Sequence, residues 1–216
     1  MKRVAFSFFV AVSLLFGSAN DTLQESGDVL ERFLSIPEES VPLELLNDAK
    51  AIAVFPNVIR AGFLVGARYG KGVLFLKENR GGWSCPLFVT LKGGSLGWQI
   101  GAQSIEIVLV FKTRERIDDL LKGKITLGGD ASVAAGPVGR NAQAATDLKM
   151  RSEIFSYSRS RGLYLGLSLA GSILEPDWEL MREFYKSENL DPNFCNEKKS
   201  DPEIKKIQEL LYQYVR

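Results

Sequence analysis

The chain has 216 residues, 45% hydrophobic and 25% charged, which is enough for one domain with a buried core and excludes global disorder. Lys plus Arg is 27 and Asp plus Glu is 26, so the net charge of +1 excludes a globally basic nucleic-acid binder, and no nucleic-acid partner is expected. Histidine is absent and cysteine occurs twice, which removes Ser-His-Asp and Cys-His nucleophilic sites, HExxH metalloproteases and the usual zinc sites.

The N-terminus reads as an address. Lys2 and Arg3 precede a 13-residue stretch, 4–16, interrupted only by Ser7 and Ser13. Gly17-Ser18-Ala19 then places small residues at the −3 and −1 positions of a cut after Ala19, the pattern of a secretory signal peptide over residues 1–19. A membrane span needs about 20 apolar residues, so this stretch is too short for a permanent anchor. Removing Lys2 and Arg3 leaves 25 basic against 26 acidic residues. In an oxidising compartment Cys85 and Cys195 either close a disulfide or stand as two separate thiols, and their spacing does not decide between these.

Residues 20–48 form a helical segment. Leu23, Leu30, Phe33 and Leu34 share one face of a helix over 21–35, which Pro37 ends, and a short helix from Pro42 carries Leu45 and Leu46 inward. From residue 49 the period changes. Short apolar runs at 51–55, 62–69, 72–76, 87–92, 98–101 and 105–111, punctuated by glycine and proline, predict successive strands. A helix over 113–122 follows, capped by Thr113, striped by Ile117, Leu120 and Leu121, and stopped by Gly123. Strand-like segments return at 125–133, 148–158 and 162–169. Residues 177–216 are helical again: Asp177 caps a helix bearing Trp178, Met181, Phe184 and Tyr185. Asp201-Pro202-Glu203 opens a last helix with Ile204, Ile207, Leu211 and Tyr214 on one face. The fold class is α+β, a single domain whose β-rich core, 49–176, is a glycine-rich, strongly curved antiparallel sheet or partial barrel flanked by N- and C-terminal helices.

Charge is unevenly spread. Residues 20–48 hold eight acidic residues and one basic, Arg32, whereas 49–100 hold seven basic residues and one acidic, Glu78. That asymmetry is either internal complementarity or a basic face offered to an anionic partner. Two motifs resemble catalytic loops and fail. Gly93-Gly94-Ser95-Leu96-Gly97 matches G-x-S-x-G but has no histidine and leads into a strand, so it reads as a glycine turn. Residues 66–72 look like a phosphate loop, but Gly72 replaces the Ser/Thr that would hold magnesium, and Gly70-Lys71-Gly72 reads as a hairpin turn. Ser156-Tyr157-Ser158-Arg159-Ser160-Arg161 sets two arginines among hydroxyls at a strand end, a pattern suited to gripping phosphate.

From Ile36 to Asp177 the chain resembles the SYLF domain family, also described as the lipid-binding SYLF or actin-binding homology domain. The resemblance rests on Ala49-Lys50-Ala51-Ile52-Ala53-Val54-Phe55-Pro56, Gly62-Phe63-Leu64-Val65-Gly66, Tyr69-Gly70-Lys71-Gly72-Val73-Leu74 and Gly82-Trp83-Ser84-x-Pro86. It continues through Gly94-Ser95-x-Gly97-Trp98-Gln99-Ile100-Gly101, Ala134-Ala135-Gly136-Pro137-Val138-Gly139-Arg140 and residues 156–163. The resemblance implies a compact domain without catalysis or cofactor, in a family whose eukaryotic members bind phosphoinositides and other anionic lipids. Together with the leader it implies a secreted, bacterial-type member, periplasmic or peripheral at the membrane, for which actin is not an expected partner.

The resulting expectation is a secreted, non-enzymatic protein binding anionic phospholipid at the cell envelope. Arg60, Arg68, Lys71, Arg159 and Arg161 are the residues expected to meet lipid phosphates. The alternative is an envelope scaffold that binds another protein, with lipid incidental. A carboxylate enzyme would need Glu106 or Asp130 paired with a second acid in a deep pocket.

Overall fold

The computed structural model describes residues 17–35, 41–78, 81–136, 152–160, 163–165, 167–186, 195 and 198–214, excepting the side chains at 63–65, 95–101 and 164–165. Lys2, Arg3, Pro37, Arg161 and the segment 137–151 lie outside them.

Two helices open the fold, α1 (Ala19–Ser35) and α2 (Leu43–Asp48). α1 begins with a reciprocal cap. The Asp21 carboxylate accepts from the Ser18 N–H at 3.0 Å and from its hydroxyl at 2.7 Å, while Asp21 N–H donates to Ser18 Oγ at 3.2 Å. These bonds hold the Asp21 carboxyl below its usual range. Ala19 is buried, and its N–H donates to Glu183 Oε1 at 3.0 Å. Leu23, Leu30, Phe33 and Leu34 bury the predicted stripe, each worth about 1.5–3 kcal/mol relative to exposure.

The sheet is built around two long strands, β1 (Ala51–Leu76) and β2 (Leu87–Phe111), antiparallel from Ala51↔Phe111 to Leu74↔Leu87. The glycines at 62, 66, 70, 72, 93, 94 and 97 do not break them into the short strands and turns expected; they lie within the ladder. A straight 26-residue strand would span about 85 Å, against a radius of gyration of about 17 Å for a compact chain of this size. β1 therefore doubles back. Lys77 N–H donates to Lys50 O at 2.9 Å, and a methyl on Gly70 would lie 2.9 Å from Val58 Cα. Register shifts between Phe55 and Val58 and between Gly62 and Leu64 mark the bend. Glycine at 70 and 72 is needed because the first arm of β1 passes directly over the second.

α3 (Arg114–Lys122), β3 (Ile125–Thr126), β4 (Val133–Ala135), β5 (Ile154–Ser160), β6 (Leu163–Leu165), β7 (Ser172–Pro176), α4 (Trp178–Tyr185) and α5 (Pro202–Tyr214) complete the described elements. They make a seven-stranded sheet in the order β3-β7-β2-β5-β4, with β1 on β2 and β6 on β5, curled into a half-barrel. It is mixed rather than purely antiparallel, because β4 runs parallel to β5. Thr113 sits at the α3 N-cap but makes no side-chain cap bond, and Leu121 is exposed. Asp177 caps α4 as expected, its Oδ1 accepting from Leu180 N–H at 3.0 Å, whereas Trp178 is exposed.

Alternation sends side chains to two apolar layers. Ile52, Val54, Val73, Phe75, Phe88, Val108, Val110, Phe155 and Tyr157 face α1, α4 and α5. Phe55, Val58, Leu74, Val89, Leu91, Ile107, Leu109 and Phe111 face the other way, with Ile117 and Leu120 of α3 and Leu169 of the turn before β7. Cys85, after the β1–β2 turn, forms a disulfide with Cys195, their Cα atoms 6.1 Å apart. Beside it, Gln208 Nε2 of α5 donates to Trp83 O at 2.8 Å and Ser84 O at 3.0 Å.

Candidate functional site

The expected basic residues divide between the two faces. Arg60, opposite Gln103, and Arg68, opposite Gly93, share the parity of Val58 and Leu74 and so project into the layer of α3 and Leu169. They are near enough for the charge of Arg60 to act on Arg68. Lys71 shares the parity of Val73, and Arg159 that of Phe155 and Tyr157, so both project to the α1 side. Arg159 is registered opposite Glu106, whose carboxylate accepts from Arg32 of α1 at 2.8 Å. Arg161 lies outside the described residues. The five residues therefore do not form one cluster; Arg60 and Arg68 form a pair.

Arg68 is the charged residue among the buried polar side chains, at 7% exposure. Its Nη1 donates to Ser168 O at 2.9 Å, while Nε is buried with no hydrogen-bond partner among the described residues. Among the described residues no carboxylate forms an ion pair with it. Burial, and secondarily the like charge of Arg60, lowers its pKa from the usual guanidinium value. Sequence reasoning named Arg68 but missed Ser172, two strands away, because the apolar part of β7 is only Ile173-Leu174 and no local pattern gives the strand order. Ser172 is fully buried, and its Oγ also lacks a partner. It is registered against Gly93, which is registered against Arg68. The row Arg68–Gly93–Ser172 thus crosses three strands on one face.

The remaining candidates are occupied by local structure. Lys92, next to the G-x-S-x-G segment, pairs with Glu175 of β7. Glu106 is engaged by Arg32, and Asp130 Oδ2 accepts from Thr126 N–H at 2.7 Å. That backbone bond is the main reason the Asp130 carboxyl lies below its usual range. Among the described residues neither acid is paired with another acid. Arg116 gathers Glu115, Asp119 and Glu153 at 2.8–3.0 Å and, with Asp119, Lys122, Lys124 and Asp130, lines an open cleft beside α3. No helix among the described residues is long and apolar enough to cross a membrane.

The family model described as "Ysc84: Las17-binding protein actin regulator" matches residues 92–214. The chain is 35% identical over 168 residues to SH3 domain-containing YSC84-like protein 1 of Rattus norvegicus, covering 75% of this chain and 49% of the relative. The Homo sapiens protein of the same name is 34% identical with the same coverage. LAS seventeen-binding protein 3 of Saccharomyces cerevisiae is 34% identical over 151 residues, 68% of this chain and 33% of the relative. The chain spans half or less of the length of these relatives. The family description and the yeast protein's name overturn the expectation that excluded actin. That expectation carried the leader's secretion reading over to partners, and the family's description runs through the actin machinery instead. With a match over more than half its length, the chain belongs to the Ysc84, or SYLF, domain family.

Proposed function

We propose that the domain is a non-enzymatic binding module that docks reversibly on an anionic phospholipid surface. The observation that carries this reading is the Arg60–Arg68 pair, two neighbouring positive charges with no carboxylate on Arg68 among the described residues. Lys71 and Arg159 supply further positive charge on the other face of the sheet. Each basic residue near an anionic membrane contributes about 1 kcal/mol, so the few on one face hold the domain weakly and reversibly, without deep insertion. The signal-peptide pattern over residues 1–19 is what supports an envelope location for this surface.

The test is charge reversal. Arg60→Glu with Lys71→Glu is expected to reduce binding to phosphatidylserine-containing vesicles by at least about tenfold, since each reversal removes one attraction and adds one repulsion. Retention of full binding by the double variant sinks the assignment.

A second reading is supported by the family description: the domain binds a protein of the actin-assembly machinery. A pull-down with purified Las17-type protein or filamentous actin separates the two. Capture insensitive to Arg60→Glu and Lys71→Glu favours the protein partner.

A further inference from the structure

We propose that the chain associates with a second copy of itself head to tail, the acidic outer face of α1 on one copy docking on a basic cluster where β1, β2 and α3 meet on the other. This goes beyond the lipid-surface reading and does not rest on it. The sequence is charged asymmetrically, with eight acidic residues to one basic over 20–48 and seven basic to one acidic over 49–100. Internal complementarity would appear as ion pairs between these two segments. Among the described residues none joins them: Asp28 pairs with Lys206 of α5, Asp48 with Lys112, and Lys92 with Glu175.

The acidic side is a ridge. Asp21, Glu25, Asp28 and Glu31 recur at helical spacing along one face of α1. The buried stripe of Leu23, Leu30, Phe33 and Leu34 turns that face away from the sheet. Asp21, Glu25 and Glu31 are exposed and Asp28 is half-buried. Lys206 bonds Asp28 at 3.1 Å, which offsets one of the four charges. The rest repel one another: the Glu25 carboxyl lies above its usual range, through burial first and then the charges of Asp21 and Asp28.

The basic side is drawn together by backbone bonds. Lys50 N–H donates to Phe111 O at 2.7 Å, and Lys77 N–H to Lys50 O at 2.9 Å, so both ends of β1 meet the end of β2. Lys50 and Arg114 are exposed; Lys77 and Lys112 are half-buried. Lys77 Nζ donates to Asn47 O at 2.9 Å and Arg114 Nη1 to Lys77 O at 3.3 Å. Carbonyl partners leave these charges uncompensated. The Lys77 ammonium lies below its usual value, through burial first and then the like charge of Lys50, with Asp48 opposing. Asp48, 3.8 Å from Lys112, and Glu78, next to Lys77 in the chain, are the local acids against four basic residues.

The ridge and the cluster are therefore complementary but unjoined within one molecule, and a second copy supplies the missing partner for each. Because the two patches differ, the contact is heterologous. Every bound copy keeps one open ridge or cluster, so association runs on into short chains instead of stopping at a symmetric dimer. Exposed ion pairs are individually weak and screened by salt, so the association is reversible and needs low ionic strength.

Sedimentation velocity of the full chain over a concentration series, at about 10 mM and about 500 mM sodium chloride, tests this. The wild-type sedimentation coefficient is expected to rise with concentration at low salt and to stay flat at high salt. Two variants open the contact from either side: Glu25→Gln with Glu31→Gln on the ridge, and Lys50→Gln with Arg114→Gln on the cluster. All four residues are exposed, and unchanged melting temperatures verify the fold. Each double variant alone weakens association by about fivefold or more. An equimolar mixture recovers it, since one variant keeps the cluster and the other the ridge, but growth stops at the dimer. A wild-type coefficient independent of concentration at low salt overturns the proposal. So does association that survives high salt and both variants, or a mixture no more associated than its components. None of these outcomes bears on vesicle binding, which is measured separately.

Discussion

Tyr185 is 6% exposed, and its hydroxyl donates to Pro86 O at 2.7 Å, tying α4 to the strand entry at Leu87. Burial, with a smaller contribution from the Asp201 charge, pushes its phenol well above the ordinary tyrosine value, and burial does the same to Tyr157. A raised folded-state pKa means that the unfolded chain releases the proton first. The stabilisation is therefore complete below about pH 10 and is lost as pH climbs above it toward the folded-state value. Denaturant titrations from pH 7 to 11 are expected to show a plateau and then an alkaline fall. Tyr185→Phe costs about 1 kcal/mol at neutral pH through the lost hydrogen bond, and makes the alkaline fall shallower by one proton. An unchanged slope would mean that Tyr185 already ionises in the native state. At this scale the sequence was only partly readable. It marked Arg60 and Arg68 as basic residues in a strand region, because charge is written in the residue type. That Arg68 is buried, and that Ser172 lies one strand from Gly93, depends on strand order, which no local pattern encodes.

Among the elements, the helices were legible and the strands were not. α1, α4 and α5 bury most of the stripes read from their 3.6-residue period, Trp178 being exposed and Tyr214 half-buried, and Asp177 and Pro202 stand at the predicted starts. β1 and β2 were read as short strands and turns because Gly62, Gly66, Gly70, Gly72, Gly93 and Gly94 look like punctuation. In the fold they serve a different purpose: they let one ribbon bend back over itself without side chains in the way. Gly72 shows the constraint most sharply, since a methyl there would overlap the Val54 carbonyl and press on the Phe55 ring. Gly72→Ala is expected to destabilise the domain by about 2–3 kcal/mol through overpacking. Gly94→Ala, where no atom lies within 4 Å of the added methyl, is expected to cost well under 1 kcal/mol. Thermal melts of the two variants check this directly, and equal costs would contradict the doubled-back path of β1.

For the molecule as a whole, the Cys85–Cys195 disulfide closes a loop of 110 residues and fastens the chain ahead of α5 to the β1–β2 turn. Gln208 and the Lys206–Asp28 pair at 3.1 Å hold α5 over α1 on the same side. Replacing both cysteines by serine is expected to cost about 4–5 kcal/mol for a loop of this length, with amide exchange rising first in α5. Exchange that rises uniformly would show that the bridge is not a local clamp. The pairing stayed open in the sequence because spacing says nothing about proximity, whereas the α+β class and the flanking helices followed from the change of period at residue 49. The proposed function is the docking of this helix-backed half-barrel on an anionic lipid surface through basic residues of its sheet. Co-sedimentation of the chain with zwitterionic and anionic vesicles, at low and at high salt, tests it most directly. The account predicts binding to anionic vesicles alone, weakened as salt screens the attraction. Absence of binding at low salt, or equal binding to zwitterionic vesicles, would contradict it.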